Sequence, residues 1–145
     1  MKDKPLHALL FKRLKNNDLS IEDTIFIDNL DNFYKLLECE RIDIQERYIN
    51  GKIYDFIFDD EYLINGKSEK PQNAVAIGID HNGTIQKKGD ILEVIFGHLI
   101  VCGKAENGEE TDLNKEDLIS IYNALCIATD DKGHKLKMLK YGFDE

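Results

Sequence analysis

Apolar residues recur along this chain in two different rhythms. In the first, Leu6, Leu9, Leu10 and Leu14 fall at helical spacing with Lys12, Arg13 and Lys15 opposite them, and Pro5 suits a first helical position. This predicts a short helix over 5–15, stopped by Asn16-Asn17-Asp18. A short strand is expected over 24–28. A helix then starts at Asn29 or Asp31 and runs to about Cys39, with Leu30, Phe33, Leu36 and Leu37 on its apolar face.

The second rhythm alternates. Residues 41–48 pair Ile42, Ile44 and Glu46 against Asp43, Gln45 and Arg47. Residues 52–59 place Tyr54, Phe56 and Phe58 on one face. Between them stands Asn50-Gly51, whose tolerance of positive φ suits a two-residue hairpin turn. Further turns are expected at Asn65-Gly66 and His81-Asn82-Gly83. Ala74–Ile79 is unbroken in its apolar character and reads as a central strand covered on both faces. The apolar run from Ile91 to Cys102 is expected to break at Gly97 and resume as a strand. Asn114 caps a helix expected to reach about Ala128, with Glu116 and Asp117 in its first turn and Leu118, Ile121, Tyr122 and Leu125 along its apolar stripe. Residues 135–141 are expected to form a last, edge strand with its lysines outward.

These elements predict an α+β fold: a small, mostly antiparallel sheet with two or three helices. No linker or repeat divides the chain. The expectation is a single domain over 1–145, with 1–20 as an N-terminal helical extension.

Composition narrows the function classes. Of 145 residues, 42% are hydrophobic, enough for a core, and 28 acidic against 19 basic residues give a formal charge of −9. Such a charge repels phosphate backbones, so direct nucleic-acid binding is disfavoured and basic protein partners are favoured. No run approaches the ~20 apolar residues of a membrane span, and the first residues lack the long apolar core of a signal peptide. A cytoplasmic protein is expected. Cys39, Cys102 and Cys126 lie in apolar runs far apart in sequence, which argues for small buried hydrophobes rather than disulfides or a metal site.

Signatures of catalysis are weak. The glycines form no phosphate loop. His98 and Cys102, four apart on a strand, lie ~13 Å from each other at ~3.3 Å per residue, too far to share a metal. No metal and no cofactor is expected. The densest acidic group is Asp59-Asp60-Glu61, at a strand end. Glu109, Glu110, Asp112, Glu116 and Asp117 make a second. Together these eight residues are the candidates for an acidic face that mimics a phosphate backbone and docks on a basic protein.

Several segments resemble an uncharacterised family of short phage and mobile-element proteins. They are Asn32-Phe33-Tyr34-Lys35-Leu36-Leu37, Asp59-Asp60-Glu61, Gly66-Lys67, Pro71-Gln72-Asn73, Ala74-Val75-Ala76 and Gly97-His98-Leu99-Ile100-Val101. The resemblance spans about Thr24 to Cys102. It departs at Leu37-Glu38-Cys39-Glu40-Arg41, where a small or glycine-rich turn is usual. It implies an accessory role, such as inhibition of a CRISPR effector or another host defence nuclease.

Three readings follow. The first is a non-enzymatic interaction protein using the acidic face, with a basic nucleic-acid-binding host protein as partner and a homodimer as an option. The second is a binder that sequesters a small-molecule or nucleotide signal, its pocket drawn from Tyr54, Tyr62, Lys67, Gln72 and Asn73. The third is a metal-dependent enzyme built on Asp59, Asp60 and Glu61.

Overall fold

The structure is a computed structural model that describes residues 3–60, 74–79, 91–129 and 133–143. Strands account for 59% of it and helices for 15%. This corrects the expected α+β fold with a small sheet: the chain is mostly β, with two sheets and two helices among the described residues.

The large sheet contains β1 (Pro5–Arg13), β2 (Leu19–Ile27), β3 (Ile42–Ile49), β4 (Lys52–Asp59), β7 (Leu99–Lys104) and the two-residue β8 (Glu110–Thr111). Its order is β2-β1-β7-β4-β3, with β8 beside β7, and every pairing is antiparallel. The small sheet has the order β6-β5-β10-β9, from β5 (Ala74–Ile79), β6 (Ile91–Phe96), β9 (Leu125–Thr129) and β10 (Lys135–Tyr141). Helix α1 (Leu30–Leu37) follows β2, and α2 (Lys115–Asn123) precedes β9.

The main core lies between the sheets. Leu9, Phe11, Tyr54, Phe56, Leu99 and Val101 of the large sheet meet Val75, Ala76, Leu139 and Tyr141 of the small one. On the outer face of the large sheet, Phe33 and Leu37 of α1 cover Leu6, Ala8, Leu10, Ile57 and Ile100. The central strands are therefore buried on both faces.

That double burial explains the first correction. Residues 5–13 form a strand, not a helix. Leu6, Ala8 and Leu10 serve one layer and Leu9 and Phe11 the other, so the run is apolar without clean alternation and imitates a helical stripe. Asn16-Asn17-Asp18 turns the chain into β2, with Asn17 at φ 72° and Leu14 N–H donating to Asp18 O at 2.9 Å. The described part of the N-terminal segment, residues 3–20, is thus strand and turn and no helical extension.

Two corrections lie near the end of the chain. The helix after Asn114 stops at Asn123, and Leu125–Thr129 pairs with β10 instead. The sheet wins there because Cys126 and Ala128 pack on its outer face while Leu125 meets the main core. β10 is an interior strand, not an edge: it lies parallel to β5 and antiparallel to β9. Its exposed Lys135 and Lys137 lie at its start, on the same face as the buried Leu139 and Tyr141, so outward lysines mark the end of the strand and not the edge of the sheet.

Other expectations match. Asn50 (φ 51°) and Gly51 (φ 82°) join β3 to β4 with Ile49 opposite Lys52. β5 is buried throughout. Gly97 (φ 80°) separates β6 from β7. Asn29 caps α1, accepting from Asn32 N–H at 2.9 Å.

The two sheets cross steeply. Lys137 O accepts from Arg13 Nη2 at the end of β1 (2.6 Å), while Gly142 exchanges backbone bonds with Tyr48 on β3. From β1 to β3 is three interstrand steps, ~14 Å, and five residues of strand span ~17 Å, so β10 runs across the large sheet. Arg13 fastens this crossing. Its guanidinium donates to the carbonyls of Asn17 (2.9 Å), Ala74 (2.7 Å) and Lys137 (2.6 Å). An ammonium cannot reproduce that planar fork. Arg13→Lys should lower stability by about 1.5–3 kcal/mol, read from the midpoint of urea unfolding.

Candidate functional site

The described residues place one open pocket beside β8. Its construction begins at Gly108 (φ 89°), where Ala105 N–H donates to Glu109 O (2.8 Å) and Gly108 N–H to Ala105 O (2.9 Å). This tight turn returns the chain along β7, pairing Thr111 with Gly103 and Glu110 with Lys104. Gly103 is required there, because a Cβ would collide with Thr111 Oγ1. The chain then locks onto β1: His7 N–H donates to Asp112 Oδ1 (2.8 Å) and Leu113 N–H to His7 O (3.0 Å).

The opposite wall is the start of β1 and the end of β2, tied by Asp28 N–H donating to Lys4 O at 2.7 Å. Between the walls lies a pocket of about 240 Å³ lined by Lys4, Pro5, Leu6, Asp28, Glu109, Glu110, Thr111 and Asp112. Four carboxylates and one ammonium surround it. The arrangement favours cations and the basic side chains of a partner.

Charge also extends beneath the rim. On the outer face of the large sheet, Asp55 lies opposite Glu46 on β3 and Cys102 on β7. Asp55 is buried, and Lys104 Nζ donates to it at 3.3 Å while standing 4.0 Å from Glu46. Burial raises the Asp55 carboxyl above its ordinary value, and the Lys104 ammonium only partly offsets this. Burial, then the charges of Asp55, Glu110 and Asp28, holds the Cys102 thiol well above its usual range. Cys102 is accordingly a poor nucleophile. On the inner face, His7 Nε2 pairs with Asp23 Oδ1.

The structure divides the eight acidic candidates. Glu109, Glu110 and Asp112 come together on the rim. Asp28 joins them, a residue that sequence reading took only for a strand end. Glu116 is exposed in the first turn of α2. Asp117 turns inward: its carboxylate accepts from Asn114 N–H (3.0 Å), Lys52 Nζ (2.6 Å) and the buried Tyr54 hydroxyl (2.8 Å). Burial opposes its ionisation, but those three donors outweigh it and hold the carboxyl below its ordinary value.

Asp59 and Asp60 stand at the far end of β4, five residues (~17 Å) from Tyr54, the residue opposite Gly103. Asp60 Oδ2 lies 3.4 Å from Arg41 Nε. Glu61 lies outside the described residues, as do Tyr62, Lys67, Gln72 and Asn73 of the proposed ligand pocket. Tyr54, the remaining member of that set, is fully buried and committed to Asp117.

Asp55 and Lys104 were missed as a pair. The available signal was an acid inside the aromatic run Ile53-Tyr54-Asp55-Phe56 and a lysine closing the apolar run Leu99–Gly103.

No group of three or more His, Cys, Asp or Glu could hold a metal ion among the described residues. No helix among them is long and apolar enough to cross a membrane. No protein family, no curated protein and no solved structure matches the chain.

Of the three buried carboxylates among the described residues, Asp55 and Asp117 should respond oppositely to neutralisation. Asp117 has a depressed folded-state pKa, so its charge stabilises the fold above the unfolded value, and that stability is lost as pH falls through the folded one. Asp55 has a raised pKa, so stability present at low pH is lost as pH rises through the folded value. At pH 7, Asp117→Asn should lower Tm and Asp55→Asn should raise it. The Asp55 difference should fade as pH falls through its raised folded value, before about pH 4 is reached, and the Asp117 difference only below about pH 4, the ordinary carboxylate pKa. Thermal unfolding across pH checks both signs.

Proposed function

We propose that this chain is a non-enzymatic binding protein that docks on a basic protein through the acidic rim beside β8. The supporting observation is the convergence of Glu109, Glu110 and Asp112 from one wall and the buried Asp28 from the other on one pocket, with Lys4 the single cation in the lining. The formal charge of −9 adds long-range steering toward a positively charged partner. A nucleic-acid-binding protein presents such a surface in the channel that receives phosphates. Occupying that channel would inhibit it, and a host defence nuclease is the partner class that the phage-protein resemblance implies.

The electrostatic reading has a specific address. The rim carries the function, and the distant Asp59 and Asp60 do not. Tagged protein is incubated with bacterial lysate, washed at low salt, and eluted with rising salt. Wild type should retain a basic protein that leaves at high salt. The Glu109→Lys, Glu110→Lys double variant should lose about tenfold or more of the binding, while Asp59→Lys with Asp60→Lys keeps it. Equal retention by the rim-reversed variant overturns the proposal.

A further inference from the structure

β2 is a nine-residue strand at the edge of the large sheet. Its hydrogen-bonding direction follows from the ends of its ladder with β1. Asp28 N–H donates to Lys4 O and Leu14 N–H to Asp18 O, so even-numbered residues of β2 direct their peptide groups at β1. The odd-numbered ones point away from the sheet. Ile27 O is taken by Asn29 N–H (2.9 Å) and Asn32 Nδ2 (2.8 Å). Among the described residues, the outward peptide groups of Ile21, Asp23 and Ile25 have no partner.

The side chains on this edge are equally unusual. Ile25 is 72% exposed, more than any other large apolar side chain among the described residues, and Ile27 beside it is 41% exposed. Both lie on the face that carries Asp23 and the half-buried Ile21. An open edge with exposed isoleucines is a template for another strand.

We propose that the strand it takes is β2 of a second copy, paired antiparallel about a two-fold axis through Thr24. In this register Thr24 faces Thr24, Ile21 faces Ile27, and Asp23 faces the second copy's Ile25. Outward-facing peptide groups meet outward-facing ones, so Asp23 and Ile25 exchange backbone bonds across the interface. Glu22 falls opposite Phe26, and no acid is opposite an acid. Both acids already have partners in their own chain: Glu22 bonds Lys12 (2.9 Å) and Asp23 pairs with His7. The register therefore buries Ile25 and Ile27 without placing like charges in opposition. Shifting the axis by one residue toward the start of β2 puts Asp23 against Asp23. Such a self-complementary patch is the form that two-fold dimers require.

The dimer joins the two large sheets into one. It also sets two acidic rims at opposite ends of the interface, because each Asp28 falls opposite the other copy's Ser20, eight residues (~26 Å) from that copy's Asp28. Its salt dependence opposes that of rim docking. Two chains of charge −9 repel, so salt strengthens self-association, whereas it weakens attraction between the rim and a basic partner.

Sedimentation equilibrium of the purified full chain, at low and high salt over a range of concentrations, measures the mass. Amide hydrogen exchange on the same samples locates the contact. The expected mass is twice 16.7 kDa, more completely at high salt, with Asp23 and Ile25 amides gaining protection as concentration rises. Ile25→Lys should weaken self-association at least about tenfold and remove that protection. A mass of 16.7 kDa under every condition overturns the proposal. So does a dimer in which the wild-type Asp23 and Ile25 amides exchange freely, a reading that does not depend on the variant folding.

Discussion

The central strands of the large sheet have no solvent-facing side, and most of the structure follows from that. β1, β4 and β7 are pressed between α1 and the small sheet. Their side chains must be apolar on both faces, or polar groups there must find partners within the protein. Asp55 is the main exception, and it survives because Lys104 reaches it from the neighbouring strand. The aromatic residues of β4 fill the inner layer. Ile57 fills the outer one, where α1 needs only two turns to cover it, with an asparagine cap to start them and Glu38 in the left-handed conformation to end them.

The second sheet crosses the large one, and the connection between them is short. Between Phe96 of β6 and Leu99 of β7 stand only Gly97 and His98. Gly97 adopts positive φ at that corner. His98 braces it, with Nδ1 lying 3.2 Å from Leu36 O at the end of α1. Away from this corner the sheets are held at two flanks. Arg13 fastens one. At the other, Arg47 forms a two-pronged bond with Glu93, which also accepts from Tyr141, while Phe143 stacks against the guanidinium. Gly78 permits this packing, since a Cβ there would lie 2.7–2.9 Å from the rings of Tyr141 and Phe143.

Local chemistry was legible where it was decisive on its own. Asn50-Gly51 specifies its turn through φ alone, and Asn114 specifies a helix start through reciprocal bonds with Asp117. Neither needs the rest of the chain. β1 and β9 were misread because their state depends on what covers them. Leu6 to Phe11 is a strand only because another layer lies on each side, and Leu125 to Thr129 leaves the helix because β10 offers it a ladder. The division of the acidic residues between separate places was illegible for a related reason. Asp59 and Glu110 look equivalent in sequence, yet the strands that carry them pair with β7 and place them at its opposite ends. Asp117, apparently a surface helix residue, ties Tyr54 and Lys52 to the start of α2. Distance in space and the direction of a side chain are fixed by register, which the acids themselves do not encode.

The parallel pairing of β10 with β5 bears on how the chain assembles. β5 at residues 74–79 pairs with β6 on one side but receives its other neighbour only from residues 135–141, and β9 has no place until β10 is present. During synthesis the β1–β2 and β3–β4 hairpins can form as soon as they emerge, since their contacts are local. The small sheet stays half-built, its β5 edge open, until a loop closure spanning about sixty residues brings β10 to it. The interval between those events is when this chain is most exposed to aggregation and most in need of a chaperone.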